Sequence, residues 1–314
     1  MPERDLTQRI NALPPERRKL LAELLDRKTA STPAVPASSV PQPAAALEIG
    51  EGLDDSKAVC RKFYDSLSMQ LDAGVFGEFS FFLNYGYVAD RSAEYSPIDL
   101  PRQYINRNSA KLVLELIGDC AINGCRILDV GCGRGGTIHM LTQFFSPAFV
   151  FGIDLSPAAI GFCRRAHRDR RVRLAVGDAE ILPFSEGAFE VVTNLESSSC
   201  YPDLFAFYEE VHRVLAPGGY FLYSDCLPQE RMTEAIRFLT AGGFQLERDR
   251  DITNNVCLSC DEISRVRLQA YGGAAAPSEM ENFLAAPGSE YYEEMREGAW
   301  TYRILKLRKR EQAA

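Results

Sequence analysis

The chain has 314 residues, 46% hydrophobic and 25% charged, with a net charge of −8 and a pI near 5.2. That is enough chain for one large domain with appendages or for two domains. The acidic balance argues against a nucleic-acid binder, which would present a basic stripe. No apolar run approaches the roughly 18 residues of a membrane span.

The N-terminus, "MPERDLTQRI", is charged and has no signal-peptide core. Residues 1–28 read as a short leucine-rich helical element. Prolines stand before its main run, and Leu20, Leu21, Leu24 and Leu25 share one face. A helix this short is marginal alone, so its leucines need a partner surface. Residues 29–46, "TASTPAVPASSVPQPAAA", read as a flexible linker with extended character. A globular body, residues 47–314, follows.

The body opens with a helical cap, residues 47–122. It comprises "DSKAVCRKFYDSLSMQLDAG", the aromatic-rich "FGEFSFFLNYGYVAD" and the amphipathic "LPRQYINRNSAKLVLELIGDC". Over 123–250 the period changes. "CRILDVGCG", "AFVFGIDLS", "VRLAVGDAE", "FEVVTNLE" and "GYFLYSDC" read as strands, separated by helices. This alternation predicts a doubly wound, mostly parallel, Rossmann-like α/β sheet. Residues 251–296 interrupt it and read as a substrate lid, because an insertion there can cap the ligand edge of the sheet. "WTYRILKLRK", within 297–314, is the final strand.

The nine cysteines are scattered through apparent strands and helices, as expected of reduced thiols in a cytoplasmic protein. Cys257 and Cys260 have C-x-x-C spacing, but no second pair and no nearby histidine accompany them. No metal site is therefore expected. His139, His167 and His212 all fall on helices and read as structural.

"LDVGCGRGGT" joins a strand to a helix. Gly131, Gly133 and Gly136 match the dinucleotide pattern G-x-G-x-x-G by letter. Three acids argue against a nicotinamide cofactor. Asp129, at the strand end, suits a ligand with a cationic group better than a pyrophosphate. Asp154 closes the second strand, where an acid takes ribose hydroxyls. Asp178 closes the third, placed to meet an adenine amino group.

"LDVGCGRGG", "GIDLS", "GDAEILPF" and "VHRVLAPGGYFLYSD" resemble, in order, the motifs of class I S-adenosylmethionine-dependent methyltransferases. The resemblance implies S-adenosylmethionine as cofactor. Asp129, Gly131 and Gly133 would lie near its methionine part, Asp154 with Leu155 at the ribose, and Asp178 with Ala179 at the adenine. Asn194 and Tyr85 join this cofactor set; in the relatives the "NYGY" region, with Tyr85 and Tyr87, covers the cofactor.

Over residues 80–270, "FLNYGYVAD", "NLESSSCYPD" and "DITNNVCLSCDEISR" are similar to natural-product O-methyltransferases. These include the mycobacterial phthiotriol and phenolphthiotriol enzymes and polyketide-synthase O-methyltransferase domains. Such relatives commonly follow the fourth strand with E-A/S-S-H-C-Y. Here Ser199 stands in the histidine position. Serine is no strong base, so Glu196 or Asp225 would take the acceptor's proton, and Tyr201 would orient the nucleophile.

The expected activity is O-methylation of a small-molecule specialised metabolite, a polyketide or mixed peptide-polyketide. Residues 5–28 resemble junction segments of modular synthases and imply docking to an assembly line or carrier protein. The missing histidine keeps two alternatives open. One is cyclisation or rearrangement without methyl transfer; the other is C- or N-methylation. A non-catalytic scaffold is disfavoured by the three intact acids.

Overall fold

The computed structural model describes residues 55–74, 77–90, 94–271 and 277–311. The leucine-rich element and the linker read at 1–46 lie outside the described residues.

The cap contributes α1 (Asp55–Ala73) and α2 (Arg107–Ile117). The core then runs β1 (Arg126–Val130), α3 (Gly136–Phe144), β2 (Phe149–Asp154), α4 (Pro157–Ala166), β3 (Val172–Val176) and β4 (Phe189–Leu195). It continues with α5 (Leu204–Val214), β5 (Leu215–Pro228), α6 (Gln229–Ala241) and β6 (Phe244–Asp251). The insertion folds as α7 (Thr253–Tyr271), α8 (Pro277–Phe283) and α9 (Glu290–Glu297). β7 (Trp300–Lys309) returns to the sheet.

The described residues form a seven-stranded sheet in the order β3-β2-β1-β4-β5-β7-β6. β1 to β5 are parallel, and β7 runs antiparallel between β5 and β6. The strand order reverses at β1 and β4, so the crevice beyond their C-terminal ends is the topological switch point. Alternation places successive residues on opposite faces. Ile127 joins the apolar cluster with α2 and α3, while Leu128 joins the one with α5 and α6. A third cluster joins cap to lid, with Leu67 and Leu71 of α1 against Tyr271, Met280 and Leu284.

Local chemistry starts the helices beside the crevice. The Ser156 hydroxyl caps α4 by accepting from the Ala159 N–H, with Pro157 as the first helical residue. The Asp203 carboxylate caps α5 by accepting from the N–H groups of Phe205 and Ala206.

Two sequence expectations need correction. The aromatic stretch after α1 is not a helix. Beyond one short turn (Gly77–Phe79) it has no regular secondary structure, and it reaches outward for its backbone bonds. The Tyr87 N–H donates to the Asn108 carbonyl and the Val88 N–H to that of Asn255. Gly86, at φ +83°, makes the close approach; a Cβ there would lie 2.5 Å from the Ser259 hydroxyl. The second correction is β6, which sequence reading passed over. Its residues alternate between buried or half-buried and exposed, and charged side chains crowd it. That is the pattern of a guarded edge strand.

Candidate active site

A cavity of about 280 Å³ opens at the switch point. It is lined by the ends of β1, β2, β4 and β5, by the cap and by the lid. Asp129, Gly131, Gly133, Asp154, Leu155, Asp178, Ala179, Tyr85, Glu196, Ser199, Tyr201 and Asp225 all lie in its wall. Tyr87 is buried outside it, and so is Asn194. It is fully buried, and its amide donates to the Val130 carbonyl at 3.0 Å and the Ser197 hydroxyl at 2.7 Å. It binds the β4 end to the glycine turn from behind. None of the three histidines lines the cavity; His139 stacks on Phe81 at 4.5 Å, and His212 packs edge-on against Phe244.

The glycine turn holds Gly131 and Gly133 at φ +65° and +51°. Gly131 has no room for a side chain, since a Cβ would lie 2.2 Å from the Ser197 hydroxyl. Asp154 fixes the turn: its Oδ2 accepts the Gly133 N–H at 2.7 Å, and its Oδ1 accepts the Ser156 N–H at 2.8 Å. Each of these oxygens keeps a second lone pair for a hydroxyl.

Asp129 is 1% exposed. Its Oδ1 accepts from the Thr193 hydroxyl at 2.7 Å, whereas its Oδ2 is buried with no hydrogen-bond partner. Burial raises its pKa to about 7, against the opposing pull of Thr193. An unpaired carboxylate oxygen facing a cavity is a place for a cation.

Asp178 is already engaged. Its Oδ2 accepts from the Lys57 ammonium at 2.7 Å, and the same ammonium pairs with Glu180. Lys57 lies on α1, so this ion pair ties the cap to the segment after β3. Arg134, within the glycine turn, clamps the cap elsewhere. It is 1% exposed, donates to the carbonyls of Ser68, Gly77 and Ser80, pairs with Asp72 at 2.9 Å and lies over the Phe162 ring.

Much of the remaining wall is apolar: Phe82 and Leu83 from the cap, Phe283, Tyr291 and Met295 from the lid, and Trp300 of β7. Glu196 lines the same cavity, on left-handed backbone at φ +49°. Strain of this kind clusters at active sites and costs about 1–3 kcal/mol. The surroundings over-determine it. The Glu196 N–H donates to the Ser224 carbonyl, and its Oε1 accepts from the Tyr85 N–H at 2.8 Å and the Tyr302 hydroxyl at 2.5 Å. Burial raises its pKa to about 8, with Asp225 adding to the rise and the Tyr302 and Tyr85 hydrogen bonds opposing it.

Asp225 is 1% exposed and holds the loop that follows β4, the acceptor loop of the sequence expectation. Its Oδ2 accepts from the Ser198 hydroxyl at 2.7 Å and the Ser199 N–H at 3.0 Å, and its Oδ1 from the Cys226 N–H. Burial raises its pKa too. Ser199 itself is exposed to the cavity. The Tyr201 hydroxyl meets that of Ser197 at 2.9 Å and accepts from the Asn194 amide at 3.3 Å, so it braces the glycine turn.

Residues 128–223 match the family model described as "Methyltransferase domain". The fatty-acid O-methyltransferase of Mycolicibacterium smegmatis is 36% identical over 71% of this chain and 81% of its own. The phthiotriol/phenolphthiotriol dimycocerosates methyltransferase of Mycobacterium tuberculosis is 34% identical over 71% and 83%. The chain belongs to this methyltransferase family. Solved structures show the same fold at low identity. A 4+2 cyclase, SpnF, gives a TM-score of 0.62 at 21% identity, covering 82% of this chain and 96% of that one. Geranyl diphosphate C-methyltransferase from Streptomyces coelicolor A3(2) gives 0.61 at 18%, covering 82% and 100%.

As a member of this family the protein is an enzyme that uses S-adenosylmethionine. The residues fit that cofactor. Asp129 has a free buried oxygen for the amino-acid ammonium. Asp154 has spare acceptor capacity, and the side-chain-free turn at Gly131 and Gly133 borders the same space. Several residues that build the site were not singled out from sequence: Thr193, Arg134, Lys57, Ser197, Ser198 and Tyr302. Thr193, Arg134, Lys57, Ser198 and Tyr302 act through partners distant in the chain, which local spacing does not reveal.

No helix among the described residues is long and apolar enough to cross a membrane. All nine cysteines are free thiols.

Proposed function

We propose that this methyltransferase O-methylates a hydroxyl group on an apolar specialised metabolite, a polyketide or mixed peptide-polyketide, with Glu196 as the general base. The observation that carries the reading is Glu196 itself. It is a half-buried carboxylate with a pKa near 8, held by two donors in the wall of a largely apolar cavity that the glycine turn also lines. A base is most effective when its pKa lies near the working pH.

When bound, S-adenosylmethionine supplies an electrophilic methyl carbon on a sulfonium. The chain's own residues do the rest. The aromatic chamber seats the acceptor and excludes water, and positioning supplies much of the acceleration. Glu196 removes the proton that the hydroxyl must lose. Asp225, bonded to the acceptor loop, keeps that loop's shape rather than meeting the acceptor.

Charge in the chamber supports a neutral acceptor. The two cations in the cavity wall, Lys57 and Arg134, are paired with Asp178, Glu180 and Asp72. A carboxylate or phosphate acceptor would face Glu196 with both lining cations already paired. The names of the relatives support a lipid-like acceptor. Docking to a carrier protein through residues 5–28 belongs to the same reading and rests on the sequence resemblance alone.

Ser199 in the usual histidine position favours a second reading, rearrangement without methyl transfer. One experiment separates the two. The protein is incubated with methyl-deuterated S-adenosylmethionine and matched long-chain acceptors bearing an alcohol, a phenol, a carboxylate or a phosphate. Labelled methyl ether from the alcohol and phenol is expected. Preference for the carboxylate, or conversion without label, overturns the proposal.

A further inference from the structure

We infer that Tyr302 is a positioning residue for the reaction: from behind the cavity wall it holds the Glu196 carboxylate in the orientation that receives the acceptor's proton. This rests on the reading of Glu196 as the general base.

Tyr302 is on β7, paired with Cys226 of β5, and is fully buried. It does not line the cavity, so it acts through Glu196 and not on the substrate. Its backbone is fixed from both sides. Its N–H donates to the Thr253 hydroxyl at 2.8 Å, and its carbonyl accepts the Ile252 N–H. A phenol anchored this way has little freedom, and its hydroxyl meets Glu196 Oε1 at 2.5 Å. The Tyr85 N–H bridges both oxygens, at 2.8 and 3.1 Å. Two rigid donors thus set the plane of a carboxylate whose own backbone is left-handed.

The same bond tunes the base. Around Glu196, Asp225 of β5 opposes its charge and Arg267 of α7 favours it. Tyr85 of the cap, Cys226 of β5 and Cys260 of α7 face it as neutral groups, their own pKa values raised by burial. Tyr302 is the side chain that donates directly to the ionised form. A donor to a carboxylate stabilises its charged state and lowers its pKa. In the reaction the acceptor's proton passes to Glu196, while the phenolic proton stays on Tyr302, whose pKa is raised far above the ordinary value by burial.

The test is the pH profile of alcohol methylation at saturating cofactor. Tyr302→Phe keeps the ring in the core and removes the donor. The rising limb is expected to move up by about one pH unit, so kcat at neutral pH falls about tenfold while KM stays near its original value. At high pH the rate recovers. Replacing Tyr302 by 3-fluorotyrosine, a stronger donor in an undisturbed core, is expected to move the limb down. That second variant covers the case in which Tyr302→Phe folds poorly. In a Glu196→Gln background neither change has any further effect. An unmoved limb in both variants, with Glu196→Gln still crippling, overturns the role of Tyr302 and leaves Glu196 as base. A Glu196→Gln enzyme with undiminished alcohol methylation overturns the base assignment itself.

Discussion

The Lys57 ammonium lies 2.7 Å from Asp178 Oδ2, joining the first turn of the cap to the end of β3 across 121 residues of chain. The carboxylate that the family resemblance assigns to the adenine is therefore also a latch for the cap. Both partners are half-buried, so the pair is worth more than an exposed one, for which about 0–1 kcal/mol is usual.

Lys57→Met is expected to loosen the cap and speed cofactor dissociation several-fold, since about 1 kcal/mol is roughly a fivefold change. Stopped-flow dissociation at low and high salt checks this. The original protein should release cofactor faster as salt rises, and the variant should be insensitive.

Asp129 makes cofactor binding pH-dependent. In the free protein burial holds its pKa near 7, well above the usual 3.8. Pairing with a cation requires the ionised form. Below pH 7, binding must release a proton, so affinity should fall as pH falls through 7, by up to tenfold per unit. The sign for folding is opposite. The free protein binds more protons folded than unfolded between about pH 4 and 7, so Asp129 makes it lose stability as pH rises through that window. Asp129→Asn should remove both trends and weaken binding by about 1–3 kcal/mol. Calorimetry in two buffers of different ionisation enthalpy counts the released proton.

Arg134 holds the cap by charge and by geometry. Replacing it with Met leaves carbonyls of Ser68, Gly77 and Ser80 without their donor, while the partly exposed Asp72 keeps Arg165 as a partner. A buried polar group left without its hydrogen-bond partner costs about 1–3 kcal/mol. Chemical denaturation of Arg134→Met should show a loss in that range. A loss below about 1 kcal/mol contradicts the clamp.

The sheet was legible because its central strands are buried apolar runs ending in Gly or Asp. "LDVGCG" and "GIDLS" each announce a strand and a ligand-facing end together. β6 was not legible, because an edge strand guarded by charge lacks the apolar run. The aromatic cap segment misled for the reverse reason. Its aromatic residues, Phe82 and Tyr87 among them, seat into the core from a segment without regular secondary structure. Within the site, Asp129, Asp154 and Glu196 stood out as acids at strand ends. Tyr302 and Lys57 did not, since their partners lie 106 and 121 residues away. The spacing of a sequence cannot rank such pairs.

Ser199 tests the acceptor loop. Its N–H is held by Asp225, and its side chain faces the cavity. Ser199→His should place an imidazole there as an added base, with Asp225 close enough to support its charge. General-base help is typically worth about 10²–10⁴-fold. The gain should be largest with aliphatic alcohols and small with acidic phenols. Equal rates for both proteins on an alcohol would mean that position 199 does not address the acceptor oxygen.

The account turns on Glu196 acting on a hydroxyl, and the rate of labelled methyl transfer to a long-chain alcohol, followed from pH 6 to 10, tests it most directly. The rate should climb with ionisation of Glu196, with a midpoint near 8, and then level off. Glu196→Gln should flatten the curve and lower the plateau by about 10²-fold or more. A pH-independent rate that survives Glu196→Gln, or product that carries no label, contradicts the account.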